Sequence, residues 1–231
     1  MNKVVMLDIQ YEYSNKTSNI HPVVLIGDSD VVLVDCGYAQ FLPLLEKELI
    51  NQGIDPKSIT KVYITHHDDD HMGGLKAFKE KYPDVLVVTS VIEAEFVSGQ
   101  KKSLRLLQAE EVLKSLPDEH KKFGIEFCES LRNVQPVDVD IMVNAGDVLN
   151  WAGGCEIIAT PGHMPGHTSL YLRAFNAVIT GDAAVVQNDE LVIANPQYTL
   201  ELELATESLE KLKNLQADVY YAYHGGIFKR K

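Results

Sequence analysis

The sequence predicts an α/β domain built from layers of sheet and helix. Short apolar runs rich in valine and isoleucine, such as residues 23–26 and 31–34, alternate along the chain with stretches of helical spacing, such as residues 41–50. Alternation of strands and helices is typical of a layered α/β fold. The length of 231 residues fits one large domain, residues 1–231, better than two small ones.

The first part of the chain is predicted to be mainly strands. Residues 4–11 open as a strand, and residues 22–26 and 31–34 form a hairpin because turn residues lie between them. A helix over residues 41–50 stops at Gly53. The next predicted elements are a strand at 61–64, a helix that follows Gly73 and Gly74, and a strand at 85–89.

Residues 91–135 differ from the rest of the chain. Charged side chains alternate there with apolar ones at helical spacing, which predicts two or three amphipathic helices with solvated charged faces. The sequence then returns to strands and one further helix. Strands are expected at 137–143, 147–151, 155–160, 170–172, 177–180 and 218–223, the last being the final strand, with a helix at 202–215.

The composition limits the function classes and the compartment. Lys and Arg number 21 against 33 Asp and Glu, a formal net charge of −12, which disfavours nucleic acid as a partner. The apolar run at the start is too short for a secretory signal and is interrupted by Asp8, and no stretch is long and apolar enough to span a membrane. Three widely separated cysteines, Cys36, Cys128 and Cys155, predict reduced thiols in a cytoplasmic protein.

One loop concentrates metal-binding chemistry. Six consecutive residues that can each bind a metal follow the strand at 61–64: His66, His67, Asp68, Asp69, Asp70 and His71. Three adjacent carboxylates repel one another unless a cation lies among them. Imidazole suits zinc, iron or manganese, and carboxylate favours the harder members of that set.

Three further strand ends carry residues of the same kind. His163 lies in Thr160-Pro161-Gly162-His163-Met164-Pro165-Gly166-His167, Asp182 follows Thr180-Gly181, and His224 precedes Gly225-Gly226. Loops at strand ends are where a rigid sheet can direct side chains to one point. We therefore expect these residues to meet the loop that begins at His66.

The ordered set of motifs resembles the metallo-β-lactamase-fold hydrolases. The family loop HxHxDH matches His66 to His71 with Asp68 in place of the second histidine, so this chain reads HxDxDH. Asp35-Cys36-Gly37, PGHxPGH, TGD and HGG occur in the family order around it. The resemblance implies a four-layer αβ/βα sandwich, with two mixed sheets packed face to face, helices outside, and residues 91–135 as a helical insertion covering the active site.

The resemblance also implies roles for individual residues. His66, Asp68 and His163 would hold a first metal ion, Asp70, His71 and His224 a second, and Asp182 would bridge both. A water or hydroxide between the ions would be the nucleophile, with Asp70 orienting it and passing a proton to the leaving group. Asp35 would support the metal loop from outside the ligand set, and His167 is not counted as a ligand. The roles of His21 and Tyr198 stay open.

The implied cofactors are two divalent metal ions, with zinc first and manganese or iron as alternatives. Asp68 adds a negative charge where the family has an imidazole, so we expect the first site to tolerate Mn²⁺ or Fe²⁺ better. A weak first site, with only one ion bound, stays open as an alternative.

The predicted function is hydrolysis of an ester, lactone or thioester of a small molecule, by analogy with glyoxalase-II-like thioesterases and acyl-homoserine-lactone lactonases. The alternatives are an iron-dependent oxidoreductase resembling a persulfide dioxygenase, a β-lactamase or phosphodiesterase, and a non-enzymatic metal-binding module. Neither nucleic acid nor membrane is expected as a partner. The oligomeric state is left open, with a homodimer as one option.

Overall fold

The computed structural model describes residues 2–13 and 16–230. Within these ranges the chain forms two six-stranded sheets, two small hairpin sheets and seven α-helices. The strands are β1 (Lys3–Met6), β2 (Ile9–Tyr13), β3 (Lys16–Ile20), β4 (Val23–Ile26), β5 (Val31–Val34), β6 (Lys61–Ile64), β7 (Leu86–Ser90), β8 (Ile141–Val143), β9 (Val148–Leu149), β10 (Cys155–Ala159), β11 (Thr168–Leu172), β12 (Ala177–Gly181), β13 (Val185–Gln187), β14 (Glu190–Val192), β15 (Val219–Ala222) and β16 (Gly226–Lys229). The helices are α1 (Leu42–Asn51), α2 (Asp69–Met72), α3 (Leu75–Lys81), α4 (Val91–Val97), α5 (Leu104–Ser115), α6 (Asp118–Arg132) and α7 (Leu202–Asn214).

Both large sheets are mixed. The first has the strand order β1-β4-β5-β6-β7-β8, antiparallel from β1 to β5 and parallel from β5 to β8. The second has the order β16-β15-β12-β11-β10-β9, in which only β12 and β15 run parallel. Consequently β5, β6 and β7 have their carboxyl ends at one edge, as do β12 and β15.

Side-chain alternation explains why the two sheets pack face to face. On β4 and β5, Val23, Leu25 and Val32 contact the second sheet. Their neighbours Val24 and Leu33 pack on the opposite face. Because successive side chains of a strand point to opposite faces, strands that are apolar throughout must be covered on both sides.

Helices supply the two outer layers. Leu45 and Leu49 of α1 and Phe78 of α3 belong to the core on the outer face of the first sheet. Leu209 and Leu212 of α7 belong to the core on the outer face of the second. The layers therefore run helix, sheet, sheet, helix, and the α/β fold class predicted from the sequence is confirmed. Within the described residues, no helix combines the length and apolarity needed to cross a membrane.

The segment predicted to be helical at 91–135 contains α4, α5 and α6, between β7 and β8. Helices α5 and α6 share a small apolar cluster of their own, formed by Leu106, Cys128 and Leu131. Residues Ser90 and Ser103 cap α4 and α5 by accepting hydrogen bonds from backbone N–H groups of the first turns. This segment is placed so that its side chains can reach the carboxyl ends of the first sheet's parallel strands.

Several strand predictions need correction. The strand predicted at 4–11 is two strands, β1 and β2, and the strand predicted at 137–143 is reduced to β8. The final strand is β16 rather than β15. Gly225 and Gly226 have φ angles of 92° and 86°, which reverse the chain so that residues 226–229 pair with β15.

Candidate metal centre

The predicted ligands come together at one edge of the sandwich. His66 to His71 follow β6, His163 follows β10, Asp182 follows β12 and His224 follows β15. Their donor atoms form groups in which every atom lies within 4.8 Å of the others. We call His66, Asp68 and His163 the first cluster. Asp70, His71 and His224 form the second cluster.

The second cluster is organised around the Asp182 carboxylate. Asp182 Oδ1 lies 3.2 Å from His71 Nε2 and 3.5 Å from His224 Nε2. His224 Nε2 is also 3.1 Å from Asp70 Oδ2. The side chains of His224 and Asp70 are 34% and 15% exposed, so this cluster faces solvent. Two imidazoles and two carboxylates that converge on one open point suit a divalent ion.

The first cluster is buried and lies on the other side of Asp182. His163 Nε2 is 2.9 Å from Asp68 Oδ2 and 3.5 Å from Asp182 Oδ2. His66 Nε2 lies 3.4 Å from Asp68 Oδ2. The two oxygens of Asp182 thus face different clusters, which is the position that a bridging carboxylate requires.

Arg105, which belongs to none of the sequence motifs, contacts two residues of the first cluster. Arg105, on α5, donates from Nε to Asp68 Oδ1 at 3.1 Å and from Nη2 to Asp68 Oδ2 at 2.6 Å. Arg105 Nη2 is also 3.2 Å from His163 Nε2. In this arrangement both Asp68 oxygens, predicted to help hold a first metal ion, accept hydrogen bonds from a guanidinium. The assignment of the seven ligands stays a prediction.

Hydrogen bonds behind the clusters fix which imidazole nitrogens face inward. His71 Nδ1 lies 2.8 Å from Asp35 Oδ2, and Thr65 donates to both Asp35 oxygens from its N–H and hydroxyl. The Thr65 hydroxyl is in turn 3.0 Å from His66 Nδ1. With Nδ1 occupied, Nε2 is the nitrogen left for a ligand role. Asp35 has the supporting position that the sequence predicted.

Unpartnered buried atoms provide the test of whether these residues suit a metal. Among the described residues, His66 Nε2, His71 Nε2, His163 Nδ1 and Asp182 Oδ1 are the buried side-chain polar atoms without a hydrogen-bond partner. Leaving such atoms unsatisfied is costly. His66, His71 and Asp182 also offer ligand atoms within 4.8 Å of one another, which indicates a ligand that accepts lone pairs at this point. The second cluster fits a divalent ion through His71 Nε2 and Asp182 Oδ1.

The pKa values of the histidines of the second cluster and of Asp182 are shifted because oppositely charged groups lie close together there. Burial alone would lower the pKa of His71, but Asp70, Asp182 and Asp35 outweigh it and raise that pKa well above its usual value. The pKa of His224 is raised against burial in the same way by Asp182 and Asp70. Burial would raise the pKa of Asp182, yet His224 and His71 hold it well below its usual range.

Two glycines let the metal loop pack tightly. A Cβ on Gly74 would lie 2.4 Å from the carbonyl oxygen of Cys36, and one on Gly73 would lie 2.7 Å from the N–H nitrogen of Ala39. The loop therefore packs directly against the residues that follow β5. This close packing allows Asp35 to contact His71.

His67 and His167, the other two histidines of these loops, have structural roles. The His67 ring is buried against Phe96 and contacts the Glu93 carboxylate, which also accepts the N–H groups of His67 and Gly166. His167 Nε2 accepts the Asp182 N–H at 2.9 Å. The His167 side chain ties its own loop to the one that carries Asp182, whereas the His67 side chain contacts α4.

A cleft of about 930 Å³ opens over both clusters, since Asp68 and His163 line it together with Asp70, Asp182 and His224. Its walls combine the candidate ligands with aromatic side chains from several elements: Tyr11, Tyr38, Phe41, Phe127 and Tyr198. The Tyr198 ring lies 5.4 Å from the Arg105 guanidinium carbon, so it belongs to the cleft wall. His21 is bonded through Nδ1 to the Tyr223 carbonyl oxygen, which makes it a support for the end of β15.

Comparison with known proteins agrees with this geometry. Residues 18–224 match the family model of the metallo-beta-lactamase superfamily. The chain is 26% identical over 207 residues to the probable metallo-hydrolase YflN of Bacillus subtilis, covering 84% of this chain and 75% of YflN. It is 24% identical over 212 residues to the metallo-beta-lactamase fold-containing protein ST1585 of Sulfurisphaera tokodaii, covering 90% and 73%.

A solved structure gives the same result. The metallo-beta-lactamase family protein TTHA1429 from Thermus thermophilus superposes with a TM-score of 0.74 at 26% identity, over 98% of this chain and 74% of that one. The resemblance drawn from the motifs is confirmed. With its four layers, its convergent strand ends and its matched span, this chain belongs to the metallo-β-lactamase superfamily.

Proposed function

We propose that this protein is a metal-dependent hydrolase that cleaves an ester, lactone or thioester of a small molecule. The observation that carries the proposal is the convergence of His71 Nε2 and Asp182 Oδ1, which lie 3.2 Å apart beneath an open cleft and have no other partner in the described part of the chain. When bound, a divalent ion supplies Lewis acidity for a carbonyl oxygen and lowers the pKa of a coordinated water.

The residues around that point have distinct tasks in this proposal. Asp70, His71, His224 and Asp182 would hold the ion. Asp70 lines the cleft and its side chain is 15% exposed, so it can hold a proton taken from the attacking water and return it to the leaving group. The aromatic walls would bind the apolar part of a small substrate and exclude water from the reacting bond.

The net charge supports the proposed substrate class, and the cysteines support a cytoplasmic location, which is also part of the proposal. A net charge of −12 disfavours a phosphodiester polymer as substrate, which leaves small carboxylic esters and thioesters as the preferred class. Cys36, Cys128 and Cys155 are buried and unpaired, in keeping with a reducing cytoplasm.

The test is a substrate screen on protein of known metal content. Lactones, thioesters, phosphodiesters and β-lactams are supplied to the wild type, to Asp70→Asn and to Asp84→Asn, an exposed carboxylate outside the site. We expect turnover of one carboxylic ester class, a loss of at least about 10²-fold in Asp70→Asn, and no change in Asp84→Asn. Activity that survives in Asp70→Asn, or oxygen uptake with a persulfide in place of hydrolysis, would overturn the proposal.

A further inference from the structure

Arg105 occupies the place that a first metal ion would need. Its side chain is 3% exposed and reaches from α5 into the first cluster. One atom, Nη2, contacts both Asp68 Oδ2, at 2.6 Å, and His163 Nε2, at 3.2 Å. Two of the three ligand atoms that would hold the ion therefore face the same guanidinium nitrogen.

An ion and this guanidinium compete for the same atoms. A divalent ion bonds to carboxylate oxygen and imidazole nitrogen at about 2.0–2.2 Å. An ion at that distance from both Asp68 Oδ2 and His163 Nε2 would be in contact with Nη2, which approaches the same two atoms. The guanidinium keeps its positive charge in proteins, so the two cations would repel each other at close range.

The pairing of Arg105 with Asp68 is built into the buried structure. Arg105 Nε is within 3.2 Å of both Asp68 oxygens, and Nη1 donates to Gln108 Oε1 on the next turn of α5. The Asp68 side chain is only 7% exposed. A two-pronged pair between buried groups is held firmly, because removing either partner leaves a buried charge without compensation.

The ligand atoms of the second cluster are differently placed. His71 Nε2 and Asp182 Oδ1 have no hydrogen-bond partner among the described residues, and the cluster faces the cleft. The free Nε2 of His66 lies with them in one group of donor atoms within 4.8 Å of one another. His66 Nε2 and His163 Nδ1, which belong to the first cluster, are without a partner as well. The difference between the clusters is that a guanidinium contacts Asp68 and His163, whereas among the described residues none is bonded to Asp70, His71 or His224.

We propose that the Arg105 guanidinium takes the place of the first metal ion, so that this protein binds one divalent ion, at the second cluster. The Asp68 carboxylate, which stands where the resembled family has a histidine, is the matching partner for a guanidinium. Positive charge is thus kept on both sides of Asp182, from a side chain on one side and from an ion on the other. This inference rests on the metal centre of the proposed function and goes beyond it in fixing the number of ions.

The experiment counts ions in the whole protein. Metal-stripped wild type, Arg105→Ala and Arg132→Ala are titrated with Zn²⁺ and with Mn²⁺ by calorimetry, and metal content is measured after gel filtration. Arg132 is the control, since it is an exposed arginine of the same helical segment that pairs with Glu110. We expect one equivalent in the wild type and in Arg132→Ala, and two equivalents in Arg105→Ala.

Each other outcome has a defined meaning. Two equivalents in the wild type, or one equivalent in a folded Arg105→Ala, would overturn the inference and leave the metal centre intact. Absence of tight binding in the wild type would overturn both the inference and the proposed function. If Arg105→Ala does not fold, the double variant Asp68→His/Arg105→Gln replaces it. We expect that variant to bind two Mn²⁺ ions and to show the exchange-coupled paramagnetic resonance signal of an ion pair, whereas a single-ion signal would overturn the inference.

Discussion

Asp35 Oδ2 lies 2.8 Å from His71 Nδ1, and this contact holds the His71 ring with Nε2 directed at Asp182. Second-layer partners of this kind typically contribute about 10–100-fold to metal affinity. We expect Asp35→Asn to weaken metal binding by that factor, because an amide cannot accept from both His71 and Thr65 as the carboxylate does. Asparagine tolerates the left-handed φ of 60° found at Asp35, so the backbone should be preserved.

The measurement for Asp35→Asn is competition of the protein with a chromophoric chelator for Zn²⁺. Asp30→Asn, on the hairpin turn before β5, is a suitable control for loss of a nearby carboxylate. An unchanged dissociation constant in folded Asp35→Asn would show that His71 is oriented by other contacts.

Metal removal should destabilise the fold. The carboxylates of Asp70 and Asp182 both face His71 Nε2, which has no hydrogen-bond partner among the described residues, and a bound ion would relieve both the crowding of the carboxylates and the unpartnered nitrogen. An ion present at 100 times its dissociation constant stabilises the native state by about 2.7 kcal/mol. Urea unfolding with and without a chelator measures this difference, and coincident unfolding curves would contradict it.

His167 should make stability fall at low pH. Its Nε2 accepts the Asp182 N–H, so the ring is neutral in the native state, and burial together with His163 lowers its pKa to about 3. In the unfolded chain a histidine has a pKa of about 6.5. The contribution of the neutral His167 ring to the free energy of unfolding is therefore complete above pH 6.5. It is lost as the pH falls toward 3, by a few kcal/mol in all.

The His167 effect is isolated by comparing variants. Glutamine at position 167 offers an acceptor for the Asp182 N–H but does not titrate, so His167→Gln should lose less stability than wild type between pH 7 and pH 4.5. His120→Gln, an exposed histidine on α6, is the matched control and should follow the wild type. Equal pH dependence in all three proteins, measured by urea unfolding, would rule out His167 as the source.

Glu93 should be a stability determinant rather than a catalytic one. Its fully buried carboxylate accepts the N–H groups of His67 and Gly166, joining the two motif loops. Leaving buried donors unsatisfied costs about 1–3 kcal/mol each, so Glu93→Ala should destabilise the protein by about 3 kcal/mol. Glu95, two residues further along α4 and 44% exposed, should cost under about 1 kcal/mol when replaced by alanine. Thermal or urea unfolding compares the two variants, and similar losses would contradict the assigned role.

Phe127 should affect substrate binding more than turnover. Its ring lines the cleft from α6, about 6.2 Å from the Tyr198 ring. Removing an apolar side chain of this kind from a binding wall costs about 1–3 kcal/mol, so Phe127→Ala should raise KM by roughly 10-fold or more with little change in kcat. Phe123 on the same helix is 52% exposed and serves as the control. A fall in kcat at constant KM would show that Phe127 acts on the chemical step.

The sequence was most informative where chemistry is concentrated in short motifs. His163, Asp182 and His224 each directly follow or lie near the end of a strand, so their convergence could be expected from the sheet alone. Arg105 could not be expected, because its partner Asp68 is 37 positions away and α5 is rich in charged residues that face solvent. An ion pair between residues far apart in the sequence produces no periodic pattern from which it could be predicted.

Short strands were the second feature that the sequence analysis did not predict correctly. The hairpin β13–β14 has three residues on each side and was not predicted. Asn188 and Asp189 between its strands have φ angles of 51° and 60°, the turn that this pair of residue types favours, so a signal was present in the sequence. Of the strand predicted at 137–143, only residues 141–143 join a ladder. Val137 instead donates its N–H to Val97 of α4, and it packs with Val139 in the core outside the first sheet, so apolar residues alone overestimated the length of the strand.

The α5–α6 pair keeps its own apolar contacts through Leu106, Cys128 and Leu131, separate from the cores between and outside the sheets. The floor of the cleft is therefore anchored to the strands, while part of its roof has an apolar cluster of its own and is tied to the metal loop by the pair of Arg105 with Asp68. Exchanging cleft-facing side chains of α5 and α6 would reshape the space above the candidate metal centre without altering strand register. In the proposed hydrolase, selectivity for different molecules and the capacity to break a bond would thus lie in separately adjustable parts of one chain.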